Sequence, residues 1–510
     1  MIPVLDSAQM RAADRITIEE LGLPGLVLME MAAAGVTDAL LERCGEARRV
    51  VVACGPGNNG GDGLAVARQL MSRGLAAVEV WLLVEERALS GDAAVQLGLA
   101  RAFGVPVQVA GAELDTFGRA VDGAEVVVDA LFGTGLDRPL SGRMAEAVAR
   151  INSCGAVVVA VDVPSGVSGS SAEPPGESIE AALTVTFAAP KVAHVLPPAC
   201  LRCGEVAVAD IGIPHWVLER QARLHLLEGE DVAAWLPPRA VDAHKGHFGH
   251  LCVAAGRFGR AGAAALAARA AVASGAGLVT VCLPAAAVNA VQALAPEAMV
   301  NALEGSGEGE GGGLEAALAR ATAVAAGPGI GVSAEARTFL DDLLGRWPGP
   351  LVLDADALTL LAGRLSALTG HSGEVVLTPH PAELGRLLGV ATAEVVRDRL
   401  GAAREAARCS GAVVLAKGAR TIIAAPDGRA LVNPTGTAGL ASGGAGDVLT
   451  GVVGALLAQG MPGWEAAAAA AWLHGRAAEL AAERFAGAVP AGELVGYLAA
   501  AEREVRTGQP

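Results

Sequence analysis

The residues best suited to chemistry lie near the end of the chain, in NPTGTAGLASGGAGDVLTG, residues 433–451. Gly443, Gly444 and Gly446 leave the backbone free to curl, so that successive N–H groups converge on an anion. Beyond them Val448, Leu449, Val452, Val453, Leu456 and Leu457 recur at helical spacing, and Gly460 with Pro462 ends that helix. A helix N-terminus carries about half a positive charge, which favours phosphate. Asp447 is then a carboxylate at an anion-binding place. It reads either as a cap of the first turn or as a general base for a hydroxyl attacking the phosphate, a role worth about 10²–10⁴ in rate. We take the second reading.

Three loops in the first half carry similar residues. RRVVVAC (48–54) reads as a strand, GPGNNGGDG (55–63) as a glycine loop, and Leu64–Ser72 as the helix that follows. Gly55, Gly57 and Gly60 spell GxGxxG, with Glu79 about twenty residues on, so a dinucleotide dehydrogenase is the first guess. Asn58, Asn59 and Asp62 argue otherwise, because amide and carboxylate oxygens clustered in a loop suit a cation beside the ligand. EVVVDA (125–130) leaves Asp129 at a strand end before GTGLDRP (133–139), and AVVVAV (156–161) runs into Asp162, Pro164, Ser165 and Gly166. Ligands of open parallel sheets sit outside the carboxyl ends of the strands, so the three loops can share one site. Lys191, after LTVTFAA (183–189), reads equally as a phosphate contact or a solvated charge.

The elements that position these residues form two α/β halves. Residues 8–43 read as helix, interrupted at Gly22–Leu23–Pro24–Gly25. Sheet character fades between Pro214 and Lys245, which places a boundary near 225 and two domains at 1–224 and 225–510. In the second half, strand-to-loop steps end in GPGIG (327–331), Asp354 and Asp356, His380 and Glu383, and Lys417–Thr421, before the GGAGD turn. His244, His247 and His250 stand three apart, but a glycine-broken run gives them no shared face and argues against a metal. EGSGEGEGGG (304–313) reads as a surface loop.

At 510 residues, with 52% hydrophobic and 18% charged, the chain is globular and too long for one core. A net charge of −16 argues against nonspecific nucleic-acid or anionic-membrane binding, and 3% aromatics argue against a base-stacking platform. Neither a secretory signal nor a membrane span is expected, and eight scattered cysteines fit a reduced cytoplasm. Cys200 and Cys203 form a CxxC without the second pair that a zinc site needs.

GPGNNGGDG, DALFGTGL (129–136) and VDVPSG (161–166), in this order, resemble NAD(P)H-hydrate epimerase, a Rossmann-like three-layer domain that interconverts the R and S hydrates of NADH and NADPH. The resemblance implies substrate contacts from Asn58, Asn59, Gly60, Gly61, Asp62, Gly133, Thr134, Gly135, Leu136, Asp137, Arg138, Pro139 and Asp162. It implies potassium at Asn59, Asp129 and Ser165, and Asp162 is the candidate for acid–base work. GPGIG, LDADAL, TPHPAE, KGARTI and SGGAGDVLTG together resemble the ADP/ATP-dependent NAD(P)H-hydrate dehydratase, of ribokinase-like fold. That resemblance implies that Lys417, Gly418, Ala419, Arg420, Thr421 and Gly446 bind the nucleotide, ADP with Mg²⁺. Ala263, Gly329, His380 and Asp447 would lie against the hydrate. Ala445 stands where Thr or Ser is expected. The implied partners are NADHX, NADPHX and ADP, with no nucleic acid and no membrane, and a homo-oligomer is expected. Two other readings stay open: a small-molecule kinase in the second half, and a non-catalytic binding module in the first.

Overall fold

The computed structural model describes residues 1–74, 77–303 and 313–508. The glycine-rich run read as a surface loop falls, over 304–312, outside the described residues. The chain forms two compact units, Ile2–Leu224 and His225–Pro510, the latter joined by Met1.

In the first unit we number the strands β1 (Val50–Cys54), β2 (Val78–Leu82), β3 (Val107–Val109), β4 (Val126–Ala130), β5 (Val157–Val161), β6 (Leu183–Phe187) and β7 (Glu205–Ala209). They form one parallel sheet in the order β3-β2-β1-β4-β5-β6-β7. The alternation of β1 explains the three layers. Val50, Val52 and Cys54 join one core cluster, while Val51 and Ala53 join another on the opposite face. A strand buried on both faces reads as an unbroken apolar run, as VVVAC does. The strand order reverses beside β1, so the loops after β1 and β4 open at the switch point, where such sheets bind ligands.

The second unit contributes β8 (His250–Ala254), β9 (Leu278–Leu283), β10 (Met299–Ala302), β11 (Ala323–Ala326), β12 (Leu351–Leu353), β13 (Val375–Leu377), β14 (Val413–Ala416), β15 (Ile422–Ala424) and β16 (Ala430–Val432). These nine run in the order β16-β15-β14-β13-β12-β11-β8-β9-β10 within an eleven-stranded mixed sheet. β8 to β14 are parallel, and β15 and β16 return antiparallel. Here the switch point lies between β8 and β11. The alanine-rich composition is explained by helix packing. At Gly451 an added Cβ would come within 2.1 Å of the Ala267 carbonyl oxygen, so the helices Ala261–Ala273 and Ala445–Ala458 meet backbone to backbone.

Three expectations are corrected. The helix after β1 begins at Asn58, not Leu64, so NNGGDG forms its first turns. Its glycines serve close approach: a Cβ on Gly60 would meet the Gly55 oxygen at 2.1 Å, and one on Gly63 the Ala130 Cβ at 2.5 Å. Glu79 is the second residue of β2, at the end away from the ligand side, and pairs with Arg49 at 3.2 Å, so it is not a ribose-binding acid. His244 and His247 do share a face, their rings stacked 3.7 Å apart, while the His250 ring turns to the Thr280 hydroxyl.

Candidate active sites

Four described non-glycine residues have positive φ: Asp162 (66°), Ala188 (62°), Ala355 (50°) and Arg420 (56°). Each follows the C-terminal end of a strand, after β5, β6, β12 and β14. Backbone strain of this kind persists where the surroundings hold a residue in place, and it gathers at functional sites.

In the first unit the strained turn presents Asp162. Lys191 donates from Nζ to Asp162 Oδ1 at 2.8 Å, to the Thr186 hydroxyl at 2.8 Å and to the Phe187 carbonyl at 2.9 Å. Lys191 is 1% exposed, so it is neither of the two things its sequence position suggested. Its three ammonium protons are all in use. Burial pushes the Asp162 carboxyl up, but Lys191, with smaller help from His194 and the Thr186 hydroxyl, outweighs it, and the net position is below the ordinary carboxylate value. Beside the pair, His194 is driven down to about 3 by burial and by Lys191, so it is neutral; its Nδ1 accepts from the Lys191 N–H at 2.9 Å.

Asp62 comes from the helix Asn58–Ser72 and is also buried. Burial raises its carboxyl well above the usual range, and Asp162 and Asp14 raise it further. Asp14, on the helix Ser7–Arg15, is lifted to about 6 by burial, Lys191 pulling it down and Asp162 pushing it up. Sequence reasoning missed Asp14 because it lies far from every motif. It missed the Lys191 pairing because a lone Lys after a strand has no signature.

Asp129, Ser165 and the loop after β4 make one hydrogen-bonded knot. The Ser165 N–H donates to Asp129 Oδ2 at 2.7 Å, the Ser165 hydroxyl to Asp129 Oδ1 at 2.6 Å, and the Phe132 N–H to the Ser165 hydroxyl at 2.9 Å. Burial lifts Asp129 to about 6, Ser165 partly offsetting it. The Asn59 side chain is placed close by: a Cβ on Gly133 would lie 3.3 Å from both Asn59 Oδ1 and Asp162 Oδ2. The Thr134 carbonyl accepts a hydrogen bond from the Ser7 hydroxyl at 2.6 Å. Leu136 is half-buried, and Gly135, Asp137, Arg138 and Pro139 are exposed.

In the second unit Asp354, at the end of β12, is the hub. Lys417 Nζ donates to its Oδ1 and the Thr450 hydroxyl to its Oδ2, both at 2.7 Å. Lys417 also lies 3.9 Å from Glu383. Burial lowers the Lys417 ammonium, but Asp354 and Glu383 outweigh it, and the net position is raised. Gly444, at φ 93°, starts the helix Ala445–Ala458 and puts Asp447 in its first turn. Burial lifts the Asp447 carboxyl to about 6, Asp354 adding and Lys417 opposing. Gly446 lies against the ion pair, its missing Cβ 3.4 Å from Lys417 Nζ. Ala445 is 5% exposed in the main core cluster, and its carbonyl meets Nε2 of the buried His474 at 2.9 Å.

The other residues implied by the resemblance fall around this hub. Gly329, at φ 68°, faces Ala263, whose Cβ would be 3.4 Å from a Cβ there. His380 caps the helix Pro381–Leu388, its Nδ1 accepting from the Ala382 N–H at 3.1 Å, and its Nε2 lies 3.3 Å from Glu383 Oε1. Gly418, Ala419, Arg420 and Thr421 form the turn from β14 to β15, closed by the Thr421 hydroxyl donating to the Gly418 carbonyl at 3.0 Å. Asp354, Glu383 and Thr450 were not singled out as site residues; the LDAD and HPAE strings carried the signal, but not the pairing.

A family model described as NAD(P)H-hydrate dehydratase matches residues 251–499, and one described as the N-terminus of YjeF-related proteins matches 25–193. The bifunctional NAD(P)H-hydrate repair enzyme Nnr of Moorella thermoacetica is 40% identical over 511 residues, 97% of this chain and 96% of that protein. The enzyme of the same name from Thermofilum pendens is 37% identical over 506 residues, 98% of this chain and 96% of its own length. A crystal structure of a ribokinase-like superfamily protein from Enterococcus faecalis V583 is 27% identical at a TM-score of 0.50, covering 56% of this chain and 97% of that one. Similarity of this extent, over both units, shows that the chain belongs to the family of bifunctional NAD(P)H-hydrate repair enzymes.

Proposed function

We propose that the first unit epimerises R and S NAD(P)HX and that the second dehydrates the S form, consuming ADP and releasing AMP and phosphate. The observation that carries the second half is the convergence of Asp447, Lys417 and the Gly444 turn at one set of strand ends. Asp447 takes the proton of the ring hydroxyl, whose oxygen then bonds to the terminal phosphorus of ADP as the bond to AMP breaks. Lys417 and the N–H groups of the turn balance the negative charge that gathers there. The phosphorylated oxygen then leaves the ring carbon as phosphate, the neighbouring carbon gives up a proton, and the double bond returns.

Mg²⁺ fits this arrangement. Glu383 supplies a buried hard oxygen 3.9 Å from Lys417, and Mg²⁺ commonly uses one or two carboxylates with substrate phosphates, where it neutralises charge. K⁺ fits the first unit. Asp129 is fully buried, its carboxyl raised by desolvation, and Ser165 and Asn59 add oxygens; among the described residues Asn59 Nδ2 has no hydrogen-bond partner, so the amide is uncommitted. A cation held there supplies a fixed positive charge near the dinucleotide. In the same unit Asp162 is the acid–base residue.

Product analysis tests the second half. AMP and phosphate appearing together with NAD(P)H support dehydration, whereas a stable phosphorylated product makes the second unit a small-molecule kinase.

A further inference from the structure

Three carboxylates in the first unit come from three separate elements: Asp14 from the helix Ser7–Arg15, Asp62 from the helix Asn58–Ser72, and Asp162 from the turn after β5. Asn59, one helical turn before Asp62, and Asp162 both approach Gly133, where a Cβ would lie 3.3 Å from Asn59 Oδ1 and from Asp162 Oδ2, and the charges of Asp162 and Asp14 act on Asp62. Among the described residues only one ion pair reaches them, Lys191 to Asp162 Oδ1. Lys191 has no N–H left for either of the others, its remaining protons going to Thr186 and Phe187. His194, the other titratable side chain beside the pair, is neutral. Asp62 is 8% exposed and receives no hydrogen bond from any described residue. Of these carboxyls Asp162 alone is hydrogen-bonded to a side-chain cation, whereas buried Asp62 has no ion pair and no hydrogen-bond donor among the described residues, which makes Asp62 the one suited to hold a proton. A carboxyl held by a lysine and a buried carboxyl left without a partner, at the ends of the same sheet, suit a base and an acid.

We propose that Asp62 is the general acid of the epimerisation, that ionised Asp162 is its base, and that Lys191 is a positioning residue acting through Asp162. This inference rests on the epimerase reading above. The hydroxyl-bearing carbon of the hydrate is bonded to the ring nitrogen, because water adds to an enamine with its oxygen next to nitrogen. Asp62 gives its proton to that hydroxyl, the C–O bond breaks, and water leaves while the nitrogen lone pair forms a C=N bond. The ionised Asp162 balances the resulting cation. A water then adds to the opposite face, its proton passing to Asp162, and transfer from Asp162 to Asp62 restores both groups. One water leaves, one enters, and no redox partner is required. Gly133 lies against Asp162 Oδ2, the oxygen that Lys191 leaves unused, which keeps that oxygen directed to the loop after β4.

The test is epimerisation of purified R-NADHX by the full chain in ¹⁸O-water, read by mass spectrometry against an enzyme-free control. The inference requires each epimerised molecule to take up one solvent oxygen. Asp62→Asn should lower kcat by about 10²–10⁴ with KM unchanged, while its dehydration of S-NADHX stays at the wild-type rate. Lys191→Met should move the acidic limb of the epimerase pH profile to higher pH, and Lys191→Arg should restore it; a merely structural lysine would lower the rate without moving the limb. Wild-type epimerisation with the original oxygen retained, or an Asp62→Asn chain of normal kcat, overturns the inference alone. No epimerisation by the wild-type chain overturns the epimerase reading and this inference with it. Should Asp62→Asn fail to fold, the oxygen measurement on the wild type decides.

Discussion

Each unit buries a lysine–aspartate pair at its strand ends, and the two pairs differ in what they leave over. Lys191 is 1% exposed and spends every ammonium proton on Asp162, Thr186 and Phe187. Among the described residues the Lys417 ammonium makes one hydrogen bond, to Asp354, and its side chain is 20% exposed. The first lysine therefore has nothing for a ligand, and its effect passes through the aspartate it holds. The second has spare donors next to a glycine turn, where a phosphate can take them. The aspartates exchange parts accordingly. In the proposed reading Asp162 is the reacting carboxylate of its pair, whereas Asp354 is held on both oxygens and the proposed reacting carboxylate is its neighbour Asp447. On that reading the same kind of ion pair is a clamp in one site and a docking point in the other.

The substitution expected to separate the two sites most strongly is Asp447→Asn. It should lower dehydration by about 10²–10⁴ and leave epimerisation intact, as measured by consumption of each epimer; near-normal dehydration would remove Asp447 as the base. Asp162→Ala is the reciprocal change, and should leave the R epimer untouched while S is still consumed.

Lys417→Met should raise the KM for ADP by about tenfold or more, the loss expected when a charged hydrogen-bond donor to phosphate is removed. An unchanged KM would make Lys417 a clamp like Lys191.

The pH dependence of dehydration probes the same contrast. Asp447 must be ionised to act as base, and its carboxyl is raised to about 6, so kcat/KM should fall as pH drops through about 6 and be level above it. Asp354 raises that value, so Asp354→Asn should move the limb to lower pH. Thr450→Val is the mildest change. It leaves one oxygen of buried Asp354 without its hydrogen bond, which should cost about 1–3 kcal/mol of stability in a denaturation series with little effect on KM.

Much of this was legible from residue order. Unbroken apolar runs such as VVVAC announced buried parallel strands, and the helix beyond Asp447 forms where its spacing predicts, although it is buried all round from Val448 to Ala458 and not on one face alone. Resemblance of the loop strings supplied the family. What sequence could not give was pairing across distance. Lys191 and Asp162 are 29 residues apart, and Lys417 and Asp354 63 apart, so their partnerships depend on which strands become neighbours. Gly60 and Gly63 misled for a related reason. Glycine reads as a helix breaker, but here it admits a helix against a strand and a loop, a contact visible only once the sheet order is known. Asp14 had no signature, since its role arises from the helix Ser7–Arg15 lying near Lys191.

The most direct measurement follows a mixture of R- and S-NADHX with the full chain, ADP, Mg²⁺ and K⁺, by the absorbance of restored NADH. Two different active sites in one chain predict complete recovery from both epimers. Recovery that stops when the S form is exhausted would contradict the catalytic reading of the first unit, and no recovery with either ADP or ATP would contradict that of the second.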